Sequence, residues 1–378
     1  MSARAAPFPA EVGALPEEPE EFDRRPSRRL ARSRRSDPEV VWREGYTDDP
    51  HAGIQRRRDL IGRRAKVRVE KLPDVAGEAE KGVVVSVSRR SCQLEILEGV
   101  RTGSVLECGY SPRLRLGQES LVAVGDRGCA HPMPGSGWLL TSLEPRRTRL
   151  SRPGPDARDH LDSVVAANLD MLVIVASVER PVFHPRFVDR FLVTAQLGGV
   201  EPMLFMNKCD LQERPDVGMY ERLGMKVLFG SASTGEGMEA LQACLAGKWT
   251  AFAGNSGVGK SSLIRTLIPG ALPEVGEVRH KDGRGRHTTT RAQVYLLPNG
   301  GRVVDTPGIR ELALHRLAPA QVQLYFPEFL ERFGTCRFND CLHTHEPGCA
   351  VRAAVEAGEI HPDRWASYHR ILESLGAT

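Results

Sequence analysis

The stretch Trp249-Thr250-Ala251-Phe252-Ala253-Gly254-Asn255-Ser256-Gly257-Val258-Gly259-Lys260-Ser261-Ser262-Leu263-Ile264 decides how this chain is read. Its middle fits G-x-x-x-x-G-K-[ST], between a strand-like run (249–253) and a helix-like run (261–268), which is the context that motif requires. The glycines let successive backbone N–H groups surround phosphate oxygens. The helix N-terminus adds positive potential. Lys260 is expected to reach the β- and γ-phosphates, Ser261 to hold Mg²⁺, and Gly254 through Ser262 to line a nucleotide.

Upstream, Asn207-Lys208-Cys209-Asp210 ends the strand-like run MLFM and fits N-K-x-D. An ionised aspartate there accepts from guanine N1–H and N2–H₂, whereas adenine offers no such pair of donors on that edge. The lysine stem covers the ring face. Ser231-Ala232-Ser233 follows, where a backbone N–H can meet guanine O6. Downstream, Asp305-Thr306-Pro307-Gly308 follows the apolar RVV run. Asp305 suits Mg²⁺ through water, and Gly308 suits an N–H contact to the γ-phosphate. The order is a permutation, with the base motifs (207, 231) before the phosphate loop (254) and the D-x-x-G sequence last. A sheet tolerates this when joined termini lie close together.

Around these motifs strands alternate with helices. MLVIVASV (171–178) is a buried strand, PRFVDRFLVTAQLGG (185–199) a helix, KVLFGSAS a strand and GMEALQACLAG a helix. QVYLLPNGGRVVD (293–305) reads as a hairpin. The pattern predicts an α/β domain with a mostly parallel sheet over residues 149–318. Residues 146–160 read as its polar entry linker.

Residues 63–148 carry five short β-rich runs, KVRVE, GVVVSVS, CQLEIL, SLVAVG and GWLLTSL, which suit an all-β OB barrel. An SH3-like barrel gives nearly the same pattern. Arg89, Arg90, Arg113, Arg115, Arg146, Arg147 and Arg149 make either a nucleic-acid face or ordinary surface charge. Residues 1–62 pair an acidic run with an arginine-rich one and are poor in apolar residues, so they read as a disordered tail. That tail is either a solvated linker or a phosphate-backbone contact.

The chain has 378 residues, 40% hydrophobic and 26% charged, with a formal net charge of +4. That length suits two or three soluble domains. No secretory leader and no 18-residue apolar run is present, so a membrane partner is not expected and a cytoplasmic location is. Five of the eight cysteines are scattered among apolar neighbours. Cys336, Cys341 and Cys349 cluster with histidines in residues 319–378, a helical segment. Cys336-x₄-Cys341-x-His343-x₅-Cys349 is a Cys₃His set that suits one structural Zn²⁺ per chain, and His345 is an alternative to His343.

With these motifs in this order, residues 64–373 resemble the ribosome small-subunit-dependent GTPase A family (RsgA/YjeQ type). The resemblance implies an N-terminal OB barrel, a circularly permuted P-loop GTPase domain and a C-terminal zinc-binding domain, and it favours His343 as the fourth ligand. It implies hydrolysis of GTP to GDP with Mg²⁺, stimulated by the small (30S) ribosomal subunit and its rRNA, late in that subunit's maturation. A monomer is expected. The alternative is an RNA-binding module that keeps GTP as a structural or regulatory ligand. Ile309 stands where many GTPases place a water-orienting glutamine. The resemblance makes Gly283-Arg284-Gly285-Arg286-His287-Thr288-Thr289-Thr290 switch I. His287 is then the candidate for orienting water, and Thr289 or Thr290 the Mg²⁺ ligand.

Overall fold

A computed structural model describes residues 77–115, 122–134, 137–152, 163–269, 293–305, 314 and 317–376. The tail (1–62), the KVRVE run, His287, Thr289, Thr290, Gly308 and Ile309 lie outside the described residues.

The first domain alternates apolar and polar side chains along short strands. Cys92, Leu94 and Ile96 of β2 (Ser91–Ile96) all point inward, beside Val84 of β1 (Glu80–Val87). They meet Cys108 of β3 (Val105–Tyr110), Ala130 of β4 (Arg127–Pro132) and Leu140 of β5 (Trp138–Leu143). β1–β2 and β2–β3 are antiparallel, β3–β5 is parallel, and β5–β4 and β4–β1 are antiparallel, which closes the ring. A parallel pair needs a crossover rather than a hairpin. The connection from β3 to β5 by way of β4 supplies it, and this order makes the barrel OB-type rather than a meander.

One of the expected strands is corrected. SLVAVG contributes no barrel strand: its described part, 122–125, makes a single bridge, Val124 to Ala166. Val122 to Val124 are buried at the barrel's base, and Gly125 (φ +88°) comes so close to the Ala167 carbonyl that a Cβ would lie 2.0 Å from it. β3 and β4 take up the ladder instead, although VLECGY and RGCAHP carry too few large apolar residues to announce themselves. The expected linker is corrected too. Its segment β6 (Arg149–Arg152) pairs antiparallel with β7 (Ser163–Ala167), because Leu150 turns inward to 1% exposure.

The second domain is built on a strand run buried on both faces. In β8 (Met171–Ser177), Leu172 and Ile174 face one core and Met171, Val173 and Val175 the other, so the sequence is continuously apolar. One face is covered by α1 (Pro185–Leu197) and by α2 (Gly218–Arg222), which places Met219 and Tyr220 there. The opposite face is covered by α3 (Met238–Leu245) and α4 (Lys260–Leu267). With β9 (Glu201–Asn207), β10 (Lys226–Phe229), β11 (Trp249–Ala253), β12 (Gln293–Leu296) and β13 (Arg302–Asp305), the spatial order is β10-β9-β8-β11-β13-β12. All neighbours are parallel except β12–β13. The chain winds outward from β8 to β10, then returns to β11 on β8's other side. That reversal opens a crevice at the carboxyl ends of β8 and β11, the place where open α/β sheets bind ligands.

The third region holds short helices α5 (Pro319–Val322) and α6 (Pro327–Leu330), then α7 (Ala350–Glu356) and α8 (Pro362–Ser374). Phe326, Phe329 and Tyr368 stack with centroids 4.9–5.3 Å apart at its centre, and Val193 of α1 joins the same core. Among the described residues no helix is long and apolar enough to cross a membrane.

Candidate functional site

Four loops leave the carboxyl edge of the parallel sheet side by side: 254–259 after β11, 208–210 after β9, 231–233 after β10, and Asp305 at the tip of β13. Gly254 (φ +146°) and Gly259 (φ +97°) bound the first. A Cβ at Gly254 would lie 2.2 Å from the Val175 carbonyl, and one at Gly259 2.3 Å from Asn207 Nδ2, so both close approaches require glycine. Lys260 Nζ donates to the carbonyls of Gly254 and Asn255, each at 2.7 Å, which folds the loop around its own ammonium. Val258 is buried beneath the loop, while Ser256, Gly257, Ser261 and Ser262 are exposed. Asp305 stands near Lys260. Loss of hydration raises its carboxyl pKa and the lysine opposes that rise.

Asn207 is 1% exposed. Its Nδ2 donates to the Val258 carbonyl at 2.8 Å, and its Oδ1 accepts from Ala232 N–H at 3.1 Å. One amide therefore ties three loops together. Lys208 (φ +63°) donates its ammonium to the Arg180 carbonyl. The thiol of Cys209 bonds the Met206 carbonyl at 3.2 Å. Asp210 is exposed and accepts from Ser233 Oγ at 3.2 Å. The nearby Ser231 hydroxyl, with help from Ser233 and Lys208, holds its carboxyl below the usual carboxylate range. It stands ready as a charged acceptor facing solvent.

Two contacts have no counterpart in the sequence motifs. Thr266 Oγ1 of α4 donates to the Ala232 carbonyl at 3.1 Å and bonds the phosphate-loop helix to the 231–233 loop. The 178–184 segment touches both the phosphate loop and Lys208. Pro181 Cδ would lie 3.6 Å from a Cβ at Gly257, and the Pro181 carbonyl accepts from Ser177 Oγ at 2.7 Å. Neither contact follows a spacing rule, because one uses a helix-face threonine and the other a backbone carbonyl.

In the third region Cys336, Cys341, His343 and Cys349 place their ligand atoms within 4.8 Å of one another. His343 Nδ1 lies 3.4 Å from Cys349 Sγ and 3.6 Å from Cys336 Sγ. Its Nε2 lies 2.8 Å from Gln323 Oε1, an acceptor that fixes the proton there and leaves Nδ1 free for a metal. Backbone N–H groups of Ala350 and Arg352 point at Cys336 Sγ and Cys349 Sγ, at 3.3 and 3.4 Å, and favour thiolates. Burial pushes the Cys341 thiol up to about 12 and the His343 imidazole down, so without a cation the Cys341 thiol stays protonated and the imidazole neutral. His345 is exposed and bonds Thr344, outside the set. Glu346 closes the connecting loop. Burial opposes its charge, yet N–H groups of Leu342, Thr344 and His345 hold it at about 2. Four N/S donors at this spacing fit a closed tetrahedral metal site.

The expected basic face of the barrel is smaller than the arginine count suggests. Arg146 forks onto buried Asp126 at 2.7 and 2.8 Å, and Arg147 pairs with Asp170 at 3.0 Å. Arg89 and Arg90 are exposed at the β1–β2 turn, and Arg101 lies over Trp138 at 5.0 Å.

A family model described as RsgA GTPase matches residues 143–315. The small ribosomal subunit biogenesis GTPase RsgA 1 of Vibrio vulnificus (strain YJ016) is 38% identical over 338 residues, covering 85% of this chain and 92% of that protein. The small ribosomal subunit biogenesis GTPase RsgA of Azotobacter vinelandii is 41% identical over 307 residues, covering 79% and 87%. The crystal structure of YjeQ from Thermotoga maritima superimposes with a TM-score of 0.62 at 32% identity, covering 80% of this chain and all of that one. YloQ, described as a circularly permuted GTPase, shares the fold with a TM-score of 0.60 at 24% identity, covering 79% and 96%. The chain belongs to the RsgA family of GTPases.

Proposed function

We propose that this GTPase binds the small ribosomal subunit late in its maturation and hydrolyses GTP there. The observation that carries the reading is the convergence of 254–262, 207–210, 231–233 and Asp305 at one crevice, in a family whose relatives are named for small-subunit biogenesis. The N–H groups of 254–260 and the Lys260 ammonium cradle the phosphates. Ser261 holds Mg²⁺, with Asp305 acting on it through water. Asp210 selects guanine, and Lys208 covers the ring. Gly308, Thr289 or Thr290, and His287 complete the γ-phosphate side from outside the described residues. If His287 orients water, His287→Ala lowers turnover far more than GTP affinity; equal losses in both remove that role.

The four Cys/His residues hold one zinc ion, which supplies a structural cross-link and no open position for chemistry. On this reading 63–148, 149–318 and 319–378 act as barrel, motor and docking domains of a cytoplasmic monomer, with Arg89 and Arg90 contributing to an rRNA contact. GTP turnover measured with and without purified small subunits tests the whole. Strong stimulation is expected, and turnover indifferent to subunits sinks the reading.

A further inference from the structure

The C-terminal region grips the GTPase domain at one helix. Arg364 of α8 is 1% exposed and donates to Asp189 of α1 at 2.6 Å and to Glu328 of α6 at 2.6 and 3.3 Å. Its guanidinium stacks on Phe326 at 4.4 Å. The other end of the path is the guanine side of the crevice. α1 begins at Pro185, directly after the 178–184 segment, and the Pro185 carbonyl accepts from Tyr220 Oη at 3.1 Å. That segment delivers the Arg180 carbonyl to Lys208, from a residue held at φ +50°, and lays Pro181 against Gly257 of the phosphate loop. Between the first half of α1 and the phosphate loop lies an open apolar cleft lined by Val175, Pro181, Phe183, Phe187, Asn255 and Val258. The helix is therefore pinned at Asp189, and its first turn borders that cleft where it meets the nucleotide loops. A shift at the pinned point has room to move the segment that holds Lys208.

We infer that Arg364 and Asp189 are positioning residues for the guanine-binding lysine, so the C-terminal domain sets how tightly the base is held. The inference rests on the reading of the crevice as a GTP site. It assigns the domain a line of communication that reaches the base end of the nucleotide through α1. Coupling of this kind is reciprocal: if the domain tightens the base site, an occupied base site must steady the domain. Pyrophosphate fills only the phosphate loop, and ADP brings a base whose edge Asp210 does not recognise, so they separate the base route from a general effect of nucleotide.

The test compares GDP and ADP affinities in the full chain and in Arg364→Lys, which keeps the charge but cannot bridge Asp189 and Glu328 together. The expected result is a GDP-to-ADP affinity ratio reduced about 5- to 10-fold, with GDP leaving correspondingly faster. A ratio unchanged in a folded variant, or a parallel loss for both nucleotides, overturns the inference. Hydrogen exchange on the unmodified chain keeps it falsifiable should the variant fail to fold. Amides of α8 are expected to gain protection with saturating GDP and not with saturating pyrophosphate; equal protection by both overturns it. A chain that binds no GDP at all would instead remove the reading of the site itself.

Discussion

The two junctions of the GTPase domain are built on opposite plans. Toward the barrel the joint is broad and polar. Arg302 of β13 forks onto Glu95 of β2 at 2.6 and 2.8 Å, with both side chains about one-fifth exposed. Asn168 Nδ2 donates to the Gly125 carbonyl at 2.9 Å, and Ala167 N–H donates to the Val124 carbonyl at 2.8 Å. Toward the C-terminal domain the joint is dry: Val193 of α1 packs into the C-terminal core, and the buried Arg364 guanidinium reaches across to Asp189 while also holding Glu328 on its own side. A joint spread over many bonds loses little with any one of them. A dry joint whose polar link is one buried cation leaves two acidic groups stranded when that cation goes.

That difference sets the order of expected damage. Arg364→Ala is expected to lower stability by about 3–5 kcal/mol, because the fully buried Asp189 would lose its counter-charge and the partly buried Glu328 its bidentate partner. Urea unfolding reads this directly, and a change under 1 kcal/mol would show the joint to be spread out after all. Metal removal comes next. Cys341→Ser, or a chelator, is expected to cost the C-terminal domain about 2–4 kcal/mol, less than the whole of a zinc-binding free energy because Phe326, Phe329 and Tyr368 form a core of their own. Domain-resolved hydrogen exchange should show loosening in 336–376 with the barrel unaffected. A chelated chain with unchanged exchange there would exclude a structural metal.

The sequence makes legible the parts of the molecule that depend on local spacing. The phosphate loop, the N-K-x-D tetrad and the Cys₃His set can be read because backbone geometry or ligand count demands particular residues at fixed intervals. β8 can be read because burial on both faces makes it continuously apolar. Four features escape for physical reasons. β3 and β4 fill a small barrel with Cys108 and Ala130 rather than large apolar residues, and their ladder is set by pairing, not propensity. β6 hides in a polar stretch because one leucine is enough to orient it. Asn207 also bolts loops together, through partners 25 and 51 residues away that the motif does not name. Arg364 and Asp189 are 175 residues apart, and no local pattern marks either as buried.

The barrel joint supplies the smaller effects. Arg302→Ala is expected to cost about 1–2 kcal/mol, since the pair is bidentate but partly hydrated and Glu95 regains water when its partner is removed. The loss should fall when measured in 0.5 M salt rather than dilute buffer, whereas the Arg364→Ala effect, shielded from ions, should not. If both variants respond to salt alike, the contrast between a wet and a dry junction is wrong. Arg147→Ala is expected to change stability by about 0.5 kcal/mol or less, because its pair with Asp170 is well exposed and Asp170 keeps the Trp249 N–H at 2.9 Å. Its value lies in that smallness. Arg146 and Arg147 are neighbours in sequence and each holds one carboxylate, yet the first grips a fully buried Asp126 and the second an open surface. A large loss from Arg147→Ala in a thermal melt would mean that burial of the carboxylate does not decide the strength of these pairs, and the ordering of both junctions would fall with it.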